Sequence, residues 1–546
     1  MFSWRNGDAS CGQSQGAGRE FARCVRFAGE NSNGFFPAMP SSHPLHGARG
    51  LRTTLLSFVA VLAGSLTFAA QAQPPATAEP RGAGKRVVID PEHPHSFRQR
   101  DGTRFFPMGD TAYHLMAQPT DIIAHFIDVR RAHRFNFIRI MAITNGFWPF
   151  GGTPQQPDFD TLDEQALRKL DWVFDYAESR GMYIELLLWG YGPAGGQKMW
   201  GDSARENAWV DMLVRRFALR PNLFFYTVTN EFERYPDGVY LYAASDVTWA
   251  RGVAARIHLL DPGRPVGCHP SVWITDQGSP RPFAEYQGFT QRRPQIVWPL
   301  WDRSEVNLNV TQNNEGVQTR TWGPIDTGRR GLTYHDTPWQ GLDYPAKWTP
   351  TGWEFEGAGM EDCITEDWIQ SGKPILNTEF GYQYEPGCEE DFIFLTHQAH
   401  QPEAVRKKAW KIATAGGYFA AGFGATPMAR TLTKSEVENF RPAALTVLYD
   451  FFTQKTAYWT LAPHLELVAP HNSLLAKPGV EYVAYFPRGG TNTVELAAGR
   501  YRVEWLHPAT GRTFEGSQVN APSGRREFAP PEQPKHDWVL HLHRVD

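Results

Sequence analysis

Cysteine is scarce in this sequence, with five residues among 546. Only Cys268, Cys363 and Cys388 lie beyond residue 24, so the chain has no disulfide scaffold, and we expect at most one disulfide, between Cys363 and Cys388. No pair of cysteine or histidine residues has the spacing of a zinc site, and the pattern HExxH is absent. The sequence therefore predicts neither a bound metal nor a cofactor.

The chain also lacks an excess of charge of either sign. Its 54 basic and 58 acidic residues give a formal net charge of −4. This near-neutral balance argues against nucleic acid and against an anionic membrane surface as partners. An uncharged, mostly apolar run covers residues 55–70, which is short for a membrane span of roughly 20 apolar residues.

This apolar run has the flanks of a secretory signal peptide. Arg49 and Arg52 precede it, and the small residues AQA at positions 70–72 follow it as a cleavage site. Such a signal normally begins the chain, so we predict that residues 1–38 are a mis-called start and residues 39–72 the signal peptide. Residues 73–85 are predicted to be a flexible linker. The mature protein is expected in the periplasm or outside the cell, without a membrane span.

From residue 104 onward, short apolar strands alternate with amphipathic helices. In TLDEQALRKLDWVFDYAESRG, Thr161 and Glu164 fit a capping box and Gly181 ends the helix. Further helices are predicted at residues 121–133, 204–219, 246–260, 403–415 and 434–452. The candidate strands cover residues 105–109, 135–143, 183–189, 223–229, 265–269, 306–311, 374–378 and 418–422.

Apolar strands without strict alternation, each followed by a helix, indicate a parallel sheet that is buried on both faces. Eight such strands form a (β/α)8 TIM barrel, which we predict for residues 86–460. Residues 270–372 interrupt the pattern with a single convincing strand and many tryptophan and tyrosine residues. We interpret them as long loops on the face where the strands end, with a pair of helices that pack these aromatics as core as the alternative.

After residue 462 the period of the apolar residues changes to two. Segments such as GVEYVAYFP, YRVEWLHPATG and DWVLHLHRV are predicted strands joined by glycine, proline and asparagine turns. We therefore predict a small antiparallel β-sandwich domain over residues 463–546.

Two acidic residues stand directly after predicted strands that lie far apart in the sequence. FFYTVTNEFERY has Asn230 and Glu231 after the fourth strand, and KPILNTEFGYQYE has Glu379 after the seventh. These strands face each other across an eight-stranded barrel, so the two carboxylates are predicted to converge at its mouth. A pair about 5 to 5.5 Å apart is the arrangement of a retaining glycosidase. Either acid alone is also compatible with a surface position.

These residues resemble glycoside hydrolase clan A, as in family 5. In that clan the glutamate after strand four is the acid/base and the glutamate after strand seven is the nucleophile, which implies these roles for Glu231 and Glu379. The preceding asparagine binds the 2-hydroxyl of the sugar, which implies that role for Asn230. FNFIRIM resembles the clan's strand-two motif, whose arginine supports the nucleophile and corresponds to Arg139.

A narrower resemblance spans nearly all of residues 86–546. DPEHPHSFRQRDGTRFFPMGDTAYHL resembles the opening of apiosidase-like bacterial barrels, which are related to family 140. LLAKPGVEYVAYFPRGG and YRVEWLHPATGRTF resemble the C-terminal domain, labelled collagen-binding, that such proteins commonly carry. The sequence departs from these patterns at Glu231, where apiosidase-like members often carry aspartate, and at Trp189, where family 5 has a histidine.

Five further residues are candidates for contact with a carbohydrate. Asp110, Tyr113 and His114 follow the first strand, so they are expected at the mouth of the barrel. Asp110 could also cap a turn. His269 is either a substrate contact or a buried structural histidine, and Trp189 is either a platform for a sugar ring or a core residue.

Arg139 is predicted to have a carboxylate partner. It lies in an apolar strand, where an unpaired cation would be costly. We predict that this partner is Glu379 and that the two side chains lie within hydrogen-bonding distance.

The sequence favours an exported retaining glycosidase that cleaves a poly- or oligosaccharide with two glutamates. A non-catalytic carbohydrate-binding protein on the same scaffold is the alternative, and it is favoured if the two carboxyls lie far apart. A protease is suggested only by the collagen label of the C-terminal domain. The sequence contains neither a zinc motif nor a supported serine or cysteine triad, so nothing else in it favours a protease.

Overall fold

The computed structural model describes residues 82–190, 199–230, 244–269, 304–311, 360–380, 402–423, 431–439, 443–532 and 535–545, with a few short strands between them. One compact unit spans Thr77–Asp546. Residues 1–38, predicted to be a mis-called start, and the predicted signal peptide lie outside the described residues. The predicted linker lies outside them up to residue 81. The last residues of that linker, Ala83–Lys85, form a 3-10 helix.

Eight parallel strands form a nearly closed barrel, as predicted. They pair in the order β5-β4-β3-β2-β1-β8-β7-β6. The amide of Leu308 donates to the carbonyl of Val266 at 3.2 Å and so links the two edge strands of this sheet. The strands are β1 (Met108–Thr111), β2 (Phe137–Met141), β3 (Tyr183–Trp189), β4 (Leu223–Thr229), β5 (Val266–Gly267), β6 (Asn309–Thr311), β7 (Ile375–Asn377) and β8 (Tyr418–Phe423).

Helices pack on the outside of this sheet. In α2 the predicted apolar stripe of Leu167, Leu170, Phe174 and Ala177 is buried, and Val173 is buried beside it. The described helices are α1 (Thr120–Ala132), α2 (Glu164–Ser179), α3 (Ser203–Phe217), α4 (Ala244–Leu260), α5 (Met360–Ser371), α6 (Pro402–Thr414), α7 (Lys434–Asn439) and α8 (Ala443–Lys455).

Three local predictions are wrong. The cap of α2 is Asp163, whose Oδ1 accepts from the amide of Gln165 at 2.8 Å, and Thr161 belongs to a strand instead. The predicted helix 434–452 is two helices, α7 and α8. Pro442 lies between them, and a proline inside a helix removes a hydrogen bond and clashes with the preceding turn. The predicted strand 105–109 is likewise divided, into Arg104–Phe105 and β1.

A small antiparallel sheet that the sequence did not predict covers one end of the barrel. Its strands are Val87–Ile89, Phe97–Gln99 and Arg104–Phe105. Phe97 and Phe105 each lie 5.1 Å from Phe224, near the start of β4, in edge-to-face contact. This sheet therefore closes the amino-terminal end of the barrel with aromatic side chains. A ligand-binding site is expected at the opposite end, where the strands finish.

Residues 270–372 contain more regular structure than predicted. Helix α5 lies there, together with the short strand pairs Asn313–Asn314 with Val317–Gln318 and Ala346–Thr349 with Gly352–Phe355. The loop prediction for the rest of this stretch falls mostly outside the described residues. Two other pairings were not predicted, namely Phe150–Gly152 with Pro157–Leu162 and Tyr382–Gln383 with β8.

The C-terminal residues form antiparallel sheets, as predicted. One sheet holds Ala462–Pro463, Ser473–Lys477, Glu481–Phe486, Gly499–Leu506, Thr513–Glu515, Val519–Ala521 and Trp538–Arg544, and Asn492–Leu496 pairs with Gly524–Phe528. Val494 and Leu496 of the two-stranded sheet pack against Leu474 and Tyr482 of the larger one in a second core. Apolar side chains of both sheets therefore face each other, which is the packing of a sandwich.

The other face of the larger sheet shares the core of the barrel. Leu475, Val483 and Val539 belong to the same cluster of buried apolar residues as the barrel strands. Trp410 of α6 stacks on Tyr485 with ring centroids 5.9 Å apart. The barrel and the β-domain are therefore joined by a continuous apolar interface.

Two remaining features concern sulfur and membranes. Cys268 is buried and forms no disulfide, whereas the side chain of Cys363 and all of Cys388 lie outside the described residues, where the predicted disulfide falls. Within the described part of the chain, no helix combines the length and the apolar character that a membrane crossing requires.

Candidate active site

Glu379 lies just beyond the carboxyl end of β7. Its backbone amide donates to Oδ1 of Asn377 at 3.2 Å, so the asparagine side chain turns the chain at the end of the strand. The Glu379 side chain is 13% exposed. Its carboxylate is therefore mostly shielded from water but remains accessible to a ligand.

Three side chains from three other strands converge on one oxygen of this carboxylate, Oε2. The hydroxyl of Tyr113, after β1, donates to it at 2.5 Å. Nη1 of Arg139, in β2, lies 3.8 Å away, and Nε2 of His269, after β5, lies 3.5 Å away. Because these residues are far apart in the sequence, only the closure of the barrel brings them to one point.

Tyr113 contacts Glu379, Asn230 and Arg139 and so links these three side chains. Its Oη lies 2.5 Å from Glu379 Oε2 and 3.0 Å from Asn230 Oδ1, and it accepts a hydrogen bond from Nη1 of Arg139. A phenol has one proton, and the shorter contact to a carboxylate is the stronger one, so Tyr113 donates to Glu379. Sequence reasoning considered Tyr113 only as a sugar contact. Its position two residues beyond the end of β1 was the one feature of the sequence that placed it near Glu379.

Arg139 differs from its prediction. It is completely buried, and it lies too far from Glu379 for a direct hydrogen bond, although the charges remain close enough to pair. Its hydrogen-bonded carboxylate is Glu185 of β3, whose Oε1 accepts from Nε at 3.0 Å. Arg139 and Glu185 are register partners on adjacent strands, a relation that the sequence did not reveal. Arg139 therefore lies beneath the mouth and is not itself a substrate contact.

Asn230 follows β4 and is nearly buried. Its Oδ1 accepts from Nη2 of Arg139 at 3.0 Å, which orients the amide. The end of β4 and the end of β7 thus share the partners Tyr113 and Arg139. Glu231, the next residue along the chain and the predicted acid/base, lies outside the described residues, as does Glu233.

His269 is completely buried against this group. Burial, and then the charge of Arg139, hold the pKa of its imidazole well below the usual range. The ring is therefore neutral at neutral pH. The structure brings His269 to the predicted nucleophile, although its position leaves it no exposed surface of its own.

Asp110 does not fit the predicted role of a substrate contact. Successive residues of a strand face opposite sides, and while Thr111 pairs with Arg139, Asp110 faces the helical layer. It is completely buried in an ion pair with Arg130 of α1. Burial raises the pKa of Asp110 to about 6, although Arg130 opposes this shift. Asp110 therefore joins β1 to α1.

Trp189 and His114 differ in exposure. Trp189 ends β3 completely buried, 5.5 Å from the ring of Trp249 in α4, and this position supports the core alternative over a sugar platform. His114 is half-buried, and its Nδ1 lies 2.8 Å from the hydroxyl of Thr144. Of the candidates after β1, His114 is the one with exposed surface at this end of the barrel.

Among the described residues, the ionisable groups closest to Tyr113 are the carboxyls of Glu185 and Glu379 and the guanidinium of Arg139. Burial raises the pKa of Glu185 to about 6, with Arg139 and the hydroxyl of Thr227 acting in the opposite direction. Over the described residues, no cluster of three or more histidine, cysteine or acidic side chains is arranged to bind a metal ion. The arrangement can hold a carboxylate in a fixed orientation within a shielded, polar pocket.

Two family models match the sequence. The one described as "Apiosidase-like, catalytic domain" matches residues 92–486. The one described as "Putative collagen-binding domain of a collagenase" matches residues 467–543. No curated protein matches the chain.

Solved structures share the fold at low sequence identity. A glycoside hydrolase family 5 protein from Bacteroides vulgatus ATCC 8482 is 14% identical, with a TM-score of 0.60 over 86% of this chain and 95% of its own. Another, a glycoside hydrolase, is also 14% identical, with a TM-score of 0.59 over 86% of this chain and 99% of its own. At this identity the similarity concerns the fold alone.

Proposed function

Because the chain belongs to the apiosidase-like catalytic-domain family, we propose that it is a retaining glycosidase that cleaves a poly- or oligosaccharide. Glu379 is the nucleophile and Glu231 the general acid and base. The carbohydrate is the only partner that this activity requires, and no metal or cofactor takes part in it.

The contact of Tyr113 with both Glu379 and Asn230 is the observation that carries this proposal. A nucleophilic carboxylate must hold one orientation, and the hydroxyl of Tyr113 and the nearby guanidinium of Arg139 both act to fix it. Asn230 immediately precedes Glu231. Its contact with Tyr113 and its hydrogen bond from Arg139, both neighbours of Glu379, support a close approach of the two glutamates.

The reaction has two displacements. In the first, Glu231 donates its proton to the glycosidic oxygen, while the carboxylate of Glu379 forms a bond to the anomeric carbon as the leaving group departs. In the second, Glu231 removes a proton from water, whose oxygen attacks the same carbon and releases Glu379. Both steps invert the anomeric carbon, so the product retains the configuration of the substrate.

The neighbouring residues have distinct parts in this mechanism. The Oδ1 of Asn230 accepts from Arg139, so its amide Nδ2 is oriented to donate to a sugar hydroxyl. His269 is neutral and adds no positive charge that would weaken the nucleophile. Half-buried His114 is the remaining candidate for a direct sugar contact among the residues after β1.

Screening the purified protein against plant and bacterial polysaccharides tests the proposal. We expect hydrolysis of at least one, and its loss in Glu379→Gln, which keeps the size of the side chain but cannot act as a nucleophile. Glu438→Gln is the matched control, because Glu438 is an exposed acid of α7, 61% accessible at its side chain. Carbohydrate binding without hydrolysis across the whole panel would favour the carbohydrate-binding alternative instead.

Export is part of the proposal. The basic residues, apolar run and AQA sequence at residues 49–72 support cleavage by a signal peptidase. We expect the mature protein to begin near Gln73, and sequencing the amino terminus of periplasmic or secreted material measures this. A mature protein that retains residues 1–38 would contradict it.

A further inference from the structure

Glu185 lies inside the barrel, and the mechanism above does not use it. It is completely buried in β3. Its Oε1 accepts two hydrogen bonds, from Nε of Arg139 at 3.0 Å and from the hydroxyl of Thr227 at 2.7 Å. Its Oε2 is buried and has no hydrogen-bond partner among the described residues. Burying a carboxylate with one oxygen unbonded destabilises the folded protein, so a functional role for Glu185 would explain why it lies there.

We propose that Glu185 is a positioning residue for the nucleophile, a deep counter-ion that fixes the guanidinium of Arg139 and, through it, the Tyr113 hydroxyl on Glu379. This inference rests on the proposed function. It assigns Glu185 no contact with the substrate.

The shape of the guanidinium gives the first argument. Arg139 donates Nε to Glu185, Nη1 to Tyr113 and Nη2 to Asn230. A guanidinium is planar and rigid, so an anchor at Nε determines where both Nη groups point. Glu185 therefore sets the direction from which Arg139 reaches the mouth of the barrel.

The balance of charge gives the second argument. Arg139 lies between two carboxylates, bonded to Glu185 but 3.8 Å from Glu379. If Glu185 lost its charge, Arg139 would be drawn toward Glu379 and would displace the Tyr113 hydroxyl from it. The carboxylate of Glu379 would then lose the donor that orients it in this structure. Glu185 thus keeps Arg139 near the nucleophile but not bonded to it.

The charge of Glu185 can change within an accessible pH range. Burial raises its pKa to about 6, with Arg139 and Thr227 opposing the shift. Among the described residues, Arg139 is the charged group in contact with it, and Glu379 and His269 lie on the far side of Arg139. We expect activity to fall as the pH drops through about 6, because protonated Glu185 no longer holds the guanidinium.

The experiment compares pH profiles of kcat/KM for the full chain and its variants. Glu185→Gln should lower kcat/KM at pH 7 by about 10- to 100-fold, mostly through kcat. It should also lose the fall of kcat/KM below about pH 6, which we call the acid limb of the profile. Thr227→Val removes the bond that favours the charged carboxylate, so it should move that limb to higher pH by about one unit. Glu438→Gln, at an exposed acid of α7 that touches none of these residues, is the control and should keep the limb.

Thermal unfolding gives a readout that does not depend on activity. The folded pKa of Glu185, about 6, lies above the usual value of 4.5, so the folded protein binds the extra proton between these pH values. Its destabilising charge is present above pH 6 and is relieved as the pH falls toward 4.5. The wild type should therefore gain stability relative to Glu185→Gln over this interval.

The outcomes separate this inference from the proposed function. A wild type that hydrolyses no substrate would overturn the proposed function. The pH dependence of unfolding would still show whether the pKa of Glu185 is raised in the folded protein. An active enzyme whose Glu185→Gln and Thr227→Val variants keep the wild-type acid limb would overturn the inference. If Glu185→Gln does not fold, the shift of the limb in Thr227→Val decides.

Discussion

Replacing Glu379 by alanine is expected to reduce hydrolysis by about 10⁴- to 10⁶-fold, the range seen when single members of a catalytic triad are removed. The reason is that no glycosyl-enzyme can form without this carboxylate, whatever the leaving group of the substrate. Hydrolysis of an aryl glycoside, followed by release of the chromophore, measures the loss. Added azide could attack from the vacated face and give a product of inverted configuration.

Glu231→Ala should fail in a different way. It loses proton donation, which is worth about 10²- to 10⁴-fold, so substrates with poor leaving groups should suffer most. Activated aryl glycosides should still form the glycosyl-enzyme, and azide should restore turnover, since it needs no general base. Equal loss on good and poor leaving groups would contradict the role of Glu231.

The configuration of the first product decides the mechanism as a whole. Two carboxyls near 5 Å imply retention, whereas a separation of about 6.5 to 9.5 Å leaves room for water and implies inversion. NMR of the anomeric proton in the first minutes, before mutarotation, distinguishes the two. Inverted product from the wild type would overturn the assignment even if both variants were inactive.

Replacing Asp537 by alanine is expected to destabilise the whole protein by about 3–5 kcal/mol, because it leaves a buried cation without its partner. Asp537 lies in the β-domain and accepts from Nη2 of Arg406, in α6, at 2.7 Å and from the hydroxyl of Tyr485 at 2.9 Å. Both members of the ion pair are nearly buried, with side-chain exposures of 9% and 1%. Denaturant unfolding measures the change.

Two matched variants make this test specific. Glu532→Ala breaks the exposed pair of Arg512 and Glu532 in the same domain and should change stability by no more than about 0.5 kcal/mol. Arg406→Met combined with Asp537→Leu removes both charges and should recover most of the loss. A similar loss in Asp537→Ala and Glu532→Ala would contradict the interpretation.

The same interface bears on the role of the β-domain. Leu475, Val483 and Val539 complete the core on which α6 and α8 pack, and Trp410 stacks on Tyr485. A chain that ended at residue 462 would expose this apolar face. We therefore expect barrel and β-domain to unfold in one transition, as parts of one structure, whatever ligand the name of the matching family suggests.

Sequence reasoning could predict the barrel because its evidence is local. The apolar stripe of α2 and the apolar run of β4 each appear within a window of some ten residues. The position of Glu379 was also readable, since an acid directly after an apolar run stands at the carboxyl end of a strand. The errors at Asp163 and Pro442 were local too, and they concerned the ends of helices, where the cap decides.

The sequence could not say which side of a strand a residue faces at its end. Asp110 and Thr111 are neighbours at the end of β1, and both are polar. The alternation of side chains sends Thr111 inward beside Arg139 and Asp110 outward to Arg130. A shift by one residue would have exchanged their roles, and the closure of the barrel selects between them.

By itself, the sequence determined that strands and helices alternate, that a β-domain follows, and that Glu379 stands at a strand end. Tertiary structure alone decided that Arg139 is bonded to Glu185 and reaches Glu379 through Tyr113. The physical reason is that a buried charge takes the partner that strand register sets opposite it. Register joins residues 46 positions apart, and no local pattern encodes that distance.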